Sequence, residues 1–236
     1  MQIIRKIYPL DQHTFPNGLE NTGCFKLLST EELEFINGKK TQVSYLKGET
    51  LFKQGAFAPH VLFVNQGLVR VYLQSGANRQ LNLRIARTGD FMAFLSVFGE
   101  NVYSYSAVAL VDSSICMIDK DGLRQLLLRN PDFALQITSR NYKNEGRYLD
   151  IIGNLSYKQM RGKLASALLY LTGEELSSEN IFQHLSRQDI ADFASITIES
   201  AIKFLKEFEK ESIIRLEGKQ VEVIDEDNLK LISRNG

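Results

Sequence analysis

The chain has 236 residues, of which 44% are hydrophobic, and its 28 basic and 28 acidic side chains give a formal net charge of zero. This composition excludes disorder of the whole chain, and the longest apolar stretches, at 91–98 and 164–171, fall short of the ~20 residues that a membrane-spanning helix needs. Two cysteines, Cys24 and Cys116, exclude a disulfide framework, and residues 1–10 lack a secretory signal. We therefore expect a cytoplasmic protein that has no membrane partner.

The first part of the chain, from about residue 39 to 119, is predicted to form short strands separated by turns. The segments 61–64, 68–73, 81–85 and 113–118 are rich in β-branched and aromatic residues, and glycine-containing turns lie between them. This spacing predicts an antiparallel, jelly-roll-like β-roll. In 81–85 the alternation predicts that three apolar side chains point inward and that Asn82 and Arg84 point outward.

From residue 119 the apolar pattern becomes helical. A short helix capped by Asp119 or Asp121 is predicted to end before Pro131, and a long helix follows over 132–155. Six residues of the long helix have 4-3-4-3-4 spacing and form one stripe: Ile137, Asn141, Asn144, Tyr148, Ile151 and Leu155. Two interpretations stay open, a core helix packed on the roll and a dimer seam, of which we favour the seam.

The last part of the chain is predicted to contain three more helices and a hairpin. The first helix, over 158–171, buries Leu164, Leu168 and Leu171, and a polar connection over 172–179 follows it. The next two helices, over 186–193 and 197–210, are separated by a tight turn at 194–196. Strands at 213–216 and 221–224 with a turn at 217–219 form the hairpin.

The paired helices carry the functional signal. Ser186, with Asp189 three residues on, is predicted to cap the first helix, and Thr197 the second. The apolar pattern places Ala201, Phe204, Leu205 and Phe208 inside and leaves Ile198, Glu199, Ser200, Ile202 and Lys203 outside. Two such helices form a helix-turn-helix, and the hairpin after them makes it winged. This unit presents the start of its second helix to the major groove of DNA.

The stretch 185–224 resembles the DNA-binding domain of the Crp–Fnr family of bacterial transcription regulators. Upstream segments resemble the same family: LKGETLFKQG at 46–55, VLFVNQGLVRVY at 61–72, TGDF at 88–91, NPDF at 130–133 and GNL at 153–155. The resemblance implies an α+β chain with a cyclic-nucleotide-binding-like β-roll sensor domain over 1–129, a central dimerisation helix over 130–155 and a winged helix-turn-helix over 156–236. It further implies a homodimer on double-stranded DNA, with RNA polymerase as another partner, and no enzymatic activity.

Glu199 and Lys203 are similar to the glutamate and arginine with which the family contacts base edges. A glutamate accepts from the amino group of cytosine, and a cation donates to guanine O6 and N7. The resemblance also gives Ile198 an apolar contact with a thymine methyl group. It gives phosphate contacts to four residues: Arg187, Gln188, Ser200 and Lys219.

Two observations weigh against DNA binding. Residues 156–236 carry eleven basic and fourteen acidic side chains, a formal charge of −3, whereas a DNA-binding domain is expected to have a basic patch. Glu199 and Lys203, four residues apart, also fit a surface ion pair that stabilises the helix by ~0.3 kcal/mol. Much of the acidic charge lies outside the reading helix, and the winged context favours DNA reading.

The roll departs from the family members that bind cyclic nucleotides. Those relatives have a Gly-Glu-Leu segment, whose glutamate holds the ribose, and an Arg-Ser-Ala segment, whose arginine neutralises the phosphate. By resemblance Phe94 occupies the glutamate position and Tyr105 the arginine position. A second register, through Phe98-Gly99-Glu100-Asn101, also lacks the arginine. We therefore predict no tight binding of cyclic AMP or cyclic GMP.

Other cofactors of the family lack a signal. An iron–sulfur cluster needs about four thiolates, and Cys116 is most simply a core residue. Haem has no signal beyond the isolated His13, His60 and His184. The candidate effector pocket is lined by Phe94, Leu95, Tyr103, Tyr105 and Tyr148, and it is filled either by these side chains or by an apolar or aromatic effector.

Two other functions each fit part of the sequence, a metalloenzyme and a sensor module that binds protein partners. A cupin-type metalloenzyme needs two or three histidines and a carboxylate, and His60 is the one histidine in the predicted roll. We therefore expect no metal site. A cyclic-nucleotide-binding-type sensor module that acts through protein partners explains the roll but not the winged end of the chain.

Overall fold

The structure, a computed structural model, describes residues 25–76, 79–99 and 101–236, apart from the side chain of Lys143. The chain forms two compact units. The roll unit comprises residues up to Val71 together with Arg84–Glu145. The C-terminal unit comprises Tyr72–Leu83 together with Gly146–Gly236. His13, Cys24 and Glu100, which are named above, lie outside the described residues.

The strands build two four-stranded sheets, and every strand pair with a described register is antiparallel. The first sheet has the order β1-β8-β3-β6 and the second β2-β7-β4-β5. The strands are β1 Lys40–Tyr45, β2 Thr50–Phe52, β3 His60–Gln66, β4 Leu68–Ser75, β5 Arg79–Arg87, β6 Phe91–Met92, β7 Ser106–Ala109 and β8 Ser113–Asp119. This arrangement confirms the predicted antiparallel roll and the α+β class.

Aromatic side chains form the centre of the roll unit. The ring centroid of Phe25 lies 5.5 Å from that of Phe63 and 5.7 Å from that of Phe133, and the rings of Phe63 and Phe91 are 4.9 Å apart. Cys116 is buried in the same core, as predicted, and this burial raises the pKa of its thiol to about 11. The thiol therefore stays protonated at neutral pH.

The predicted outward direction of Asn82 and Arg84 is wrong. Asn82 is 0% and Arg84 5% exposed. The Arg84 guanidinium donates to the carbonyl oxygen of Phe91 at 2.7 Å and lies 3.7 Å from the Asp90 carboxylate. The Asn82 amide donates to the carbonyl oxygen of Asp189 at 2.9 Å. A buried polar side chain is tolerated when it has a hydrogen-bond partner. The partners of Asn82 and Arg84 lie outside this strand, so the alternation of residues along 81–85 could not reveal them.

The two helices that follow the roll strands begin where the sequence predicts, whereas the helix before them was not predicted. This α1 helix, Thr30–Asn37, precedes β1, and Ser29 and Glu32 form its capping box. The α2 helix, Lys120–Arg129, is capped by Asp119, whose carboxylate accepts from the Gly122 amide at 2.7 Å. The α3 helix spans Pro131–Tyr157, which is slightly longer than predicted.

The exposed apolar stripe of α3 differs from the stripe predicted as a dimer seam. Ile137 and Ile151 are buried within the chain itself, so at these positions the core interpretation holds. The exposed apolar residues of α3 are Leu135, Tyr142, Leu149, Ile152, Leu155 and Tyr157, and Leu155 also belongs to the predicted stripe. Leu135, Tyr142, Leu149 and Ile152 lie seven, seven and three residues apart, so these four share one face of the helix.

After α3, the described part of the C-terminal unit contains four α-helices, two short 3₁₀ helices at Ser177–Glu179 and Ile181–Gln183, and a two-stranded hairpin. The α-helices and strands are α4 Met160–Thr172, α5 Arg187–Ala194, α6 Ile198–Lys210, β9 Ile214–Glu217, β10 Gln220–Val223 and α7 Glu226–Asn235. Leu164, Leu168 and Leu171 of α4 are buried as predicted. The α7 helix was not predicted, although Asp225 caps it and Leu229 is buried. It is tied to α4 by Ser233, whose hydroxyl lies 2.7 Å from that of Ser166.

Candidate nucleic-acid interface

The helix-turn-helix forms where the sequence predicts it, with local contacts that explain its ends. The Ser186 amide donates to the Asp189 carboxylate at 2.7 Å, and the Asp189 amide donates to the Ser186 hydroxyl at 3.1 Å. These two bonds are the predicted capping box of α5. At the other end Ser195 has a φ of +52°, a left-handed conformation that closes the tight turn into α6.

The first turn of α6 is capped by Thr197. The Thr197 hydroxyl accepts from the Ser200 amide at 3.2 Å, and the two hydroxyls are also 3.2 Å apart. The Ser200 side chain is therefore engaged in the cap and is half-buried. Hydrogen bonds from the Glu199 backbone amide and from Thr197 hold the pKa of the Glu199 carboxyl below its usual range. An exposed, ionised carboxylate thus stands at the start of the helix.

The outer face of α6 carries most of the predicted base-reading residues. Glu199, Ile202 and Lys203 are exposed and Ile198 is half-buried, whereas Ala201, Leu205 and Phe208 are buried. Phe204 is half-buried rather than inside. The Lys203 ammonium lies 3.9 Å from the carboxylate of Glu207, one turn further on. The described ion pair of Lys203 is therefore with Glu207, and Glu199 stays available to a ligand.

The wing follows α6 as a short antiparallel hairpin. Glu217 pairs with Gln220, which leaves Gly218 and Lys219 as the loop. Gly218 has a φ of +61°, which suits glycine at this place in a tight hairpin. Lys219 is exposed at the tip. The predicted hairpin and turn are thus confirmed.

Two of the predicted phosphate contacts are already bonded within the chain. Arg187 donates to the carbonyl oxygens of Gly218 at 2.8 Å and Lys219 at 3.4 Å. Burial lowers the pKa of the Arg187 guanidinium. The Gln188 amide donates to the Asp192 carboxylate at 2.8 Å, within α5. Sequence reasoning missed the link from Arg187 to the wing, because a contact between two distant segments leaves no local pattern.

Three of the candidate effector residues, Phe94, Tyr103 and Tyr105, contact other residues of the roll unit. Phe94 is buried, and Tyr103 stacks on Phe52 with ring centroids 4.2 Å apart. Burial raises the pKa of Tyr103 to about 12. The Tyr105 hydroxyl accepts from the Ala93 amide at 2.6 Å. Leu95 is 75% exposed, so it does not line the interior, in contrast to the prediction. It points outward because it lies in the short 3₁₀ turn Phe94–Val97, where successive side chains face different directions.

The remaining candidate effector residue, Tyr148, lies half-buried on α3, in the C-terminal unit. Within the described parts of the chain, no group of three or more His, Cys, Asp or Glu side chains is placed to hold a metal ion. No described helix is long and apolar enough to cross a membrane.

Two domain families match the chain in the order of its elements. The cyclic nucleotide-binding domain matches residues 42–130, and the Crp-like helix-turn-helix domain matches residues 162–232. The chain belongs to the Crp–Fnr family of transcription regulators. It is a DNA-binding protein of this family, with a cyclic-nucleotide-binding-type domain before its helix-turn-helix.

Relatives of this Crp–Fnr regulator span most of its length. The CRP-like cAMP-activated global transcriptional regulator of Mycobacterium tuberculosis is 23% identical over 215 residues, which cover 89% of this chain and 96% of the relative. The anaerobic regulatory protein of Bacillus subtilis is 25% identical over 196 residues, 81% of this chain and 82% of the relative. The structure of FixK2 from Bradyrhizobium japonicum, 20% identical, has a TM-score of 0.72 over 82% of this chain and 96% of FixK2. The mycobacterial and Bacillus relatives are named as regulators, and the likeness to FixK2 shows the fold.

Proposed function

We propose that this Crp–Fnr regulator binds a near-palindromic site in duplex DNA as a cytoplasmic homodimer, with α6 of each copy in the major groove. The observation that carries the proposal is the outer face of α6, where Glu199 and Lys203 are exposed one turn apart on a capped helix. A symmetric dimer presents two such helices, and its half-sites are then expected about one DNA turn apart.

Base reading is assigned to the start of α6. Glu199, held ionised by the bonds at the helix start, is suited to accept from a cytosine amino group. Lys203 donates to guanine, as a point charge without the planar fork of an arginine. Ile198, half-buried beside them, offers an apolar contact to a thymine methyl group. Each good base contact contributes roughly 1–3 kcal/mol of discrimination.

Phosphate contacts position the helix without reading sequence. Lys219 at the wing tip is exposed and suited to this role. Arg187 also has N–H groups beyond the two that hold the wing turn, and Gln188 and Ser200 lie at the starts of α5 and α6. Amides at a helix start favour a nearby phosphate. These four residues therefore share the role of contacting phosphates of the DNA backbone.

The dimer is assigned to α3. Leu135, Tyr142, Leu149 and Ile152 are exposed on one face of this helix. Their spacing is that of a coiled-coil seam, and a second α3 packed on it removes these side chains from water. The family resemblance supports RNA polymerase as a further partner.

We further propose that cyclic AMP is not the signal, although the mycobacterial relative is named as cAMP-activated. The phosphate-binding arginine position holds Tyr105, whose hydroxyl is bonded to the Ala93 amide, and the ribose-binding glutamate position holds the buried Phe94. Burying a phosphate there without a cation costs several kcal/mol. Haem and an iron–sulfur cluster are likewise not part of the proposal.

The test is fragment binding followed by site mapping. Genomic fragments are selected on the purified protein, and the affinity for the selected site is measured at several salt concentrations. A DNA-binding protein loses affinity steeply as salt rises, because bound protein releases counterions from the phosphates. Absence of any selected fragment, or an affinity that does not depend on salt, contradicts the proposal. Titration calorimetry tests the proposal that cyclic AMP is not the signal, and micromolar affinity for cyclic AMP overturns it.

A further inference from the structure

The end of the β4–β5 hairpin, Tyr72–Leu83, belongs to the C-terminal unit and contacts the helix-turn-helix through Asn82. The Asn82 side chain is fully buried, and its Nδ2 donates to the carbonyl oxygen of Asp189 at 2.9 Å. We propose that Asn82 is a positioning residue for DNA binding: it holds the helix-turn-helix in the orientation that a specific site requires. The inference rests on the proposed function, because it names what sets that orientation.

The hydrogen bond between Asn82 and Asp189 lies at the first turn of α5, beside the contacts that cap this helix and hold the wing. Asp189 is the residue whose carboxylate caps α5 through Ser186. The same turn of α5 carries Arg187, which holds the wing at Gly218. A contact at Asp189 therefore fixes the part of α5 from which both the cap and the wing contact start.

A second contact ties the hairpin to the other end of α5. Arg147 of α3 donates from Nε to the carbonyl oxygen of Leu83 at 3.1 Å, and its guanidinium lies 3.8 Å from the centroid of the Tyr170 ring. The Tyr170 ring in turn packs on Phe193, with centroids 5.8 Å apart. Burial lowers the pKa of Arg147, and a desolvated cation over an aromatic face is held more strongly than an exposed one. The hairpin is thus linked to the first and last turns of α5.

Asn82 also has a feature that a purely structural residue would not need. Its Oδ1 is buried and has no hydrogen-bond partner among the residues that the structure describes. Leucine has the same branched shape as asparagine, although it is larger, and it carries no acceptor that can be left unpaired. What asparagine supplies and leucine does not is a directional bond to α5.

The test compares Asn82→Leu with a matched control, Gln80→Leu. Gln80 lies on the same strand and its amide bonds within the hairpin, to Gln74 at 3.0 Å, so the control removes an amide without touching α5. Hydrogen exchange of the α5 amides is measured without DNA, together with thermal unfolding and the dissociation constants for the selected site and for random duplex.

For Asn82→Leu we expect faster exchange in α5 and weaker binding of the selected site, each by about tenfold, the size of one net hydrogen bond. Random-duplex affinity stays at the wild-type value, the thermal unfolding transition stays cooperative, which shows that the variant folds, and Gln80→Leu changes none of the α5 readouts. A second variant, Arg147→Lys, keeps the charge but loses the Nε donor, and shifts both readouts in the same direction.

Unchanged α5 exchange in both Asn82→Leu and Arg147→Lys overturns the inference, as does tighter binding of the selected site. Failure of the wild-type chain to bind any DNA overturns the proposed function instead. The two failures are distinguishable because the exchange measurement contains no DNA.

Discussion

The Nη2 group of Arg187, at the start of α5, lies 2.8 Å from the carbonyl oxygen of Gly218 in the wing turn. One side chain thus connects the supporting helix of the reading unit to the wing. Because Lys219 follows Gly218 at the exposed tip, the position of its charge depends on this contact. The wing is held by α5 as well as by its own short hairpin.

Replacing Arg187 with alanine is expected to weaken DNA binding through the wing as well as directly. Each lost phosphate contact lowers the slope of log affinity against log salt by ~0.9. Lys219→Ala is therefore expected to lower the slope by about one contact and Arg187→Ala by about two, since the latter also releases the wing. The double variant then resembles Arg187→Ala. Additive slopes would show that Arg187 does not position Lys219.

Glu199→Ala with Lys203→Ala is expected to remove the preference for the selected site, at roughly 1–3 kcal/mol per lost base contact. Binding of random duplex changes little, because phosphate contacts remain. The matched control is Glu226→Ala with Lys230→Ala, which removes another exposed i,i+4 pair, on α7. Competition binding measures the ratio of the dissociation constants for random and selected duplex. If this ratio equals that of the wild type, Glu199 and Lys203 do not read bases.

Leu149→Glu is expected to convert a dimer into a monomer, because it places a charge in the exposed apolar stripe of α3. Gln136→Glu introduces the same charge at an exposed position off that stripe and is expected to leave the dimer intact. Sedimentation equilibrium gives the mass of each variant. A dimeric Leu149→Glu protein would place the interface elsewhere.

Tyr105→Phe is expected to destabilise the roll by about 1–3 kcal/mol, because the Ala93 amide loses the acceptor it has at 2.6 Å. Ala93 is nearly buried and has a φ of +58°, so its amide is not readily re-paired. The control is Tyr157→Phe, which removes the hydroxyl of a tyrosine that is 88% exposed at the end of α3. Urea unfolding curves compare the two. Equal stabilities would show that the hydroxyl contributes nothing.

Cys116 is expected to react with a thiol reagent only when the roll unfolds. Burial raises its pKa to about 11, so the folded chain holds the thiol proton more tightly than the unfolded chain. Its contribution to stability is therefore present below the unfolded pKa near 9 and is lost as the pH rises towards 11. The measurement uses a Cys24→Ser variant, so that one thiol is followed. Rapid labelling of the native protein at neutral pH would contradict the burial.

Most of the helices and strands, though not α1 and α7, are predictable from the amino-acid sequence alone, because strand alternation, helix periodicity and caps act between residues a few positions apart. Ser186 with Asp189 and Thr197 with Ser200 are such local pairs, and they located the reading helices correctly. The motifs around 88–91 and 185–224 likewise identified the family. The same local logic misplaced Asn82 and Arg84, and it did not show that Ile137 and Ile151 of the predicted α3 stripe are buried within the chain.

Those features were decided by tertiary structure. Asn82 is buried because its amide meets a carbonyl 107 residues away, and Arg187 holds a turn 31 residues away. Which apolar residues of α3 remain exposed depends on how the rest of the chain packs on this helix, and that packing buries Ile137 and Ile151. A polar side chain is stable in the interior only beside its partner, and the partner is brought there by the folded chain as a whole.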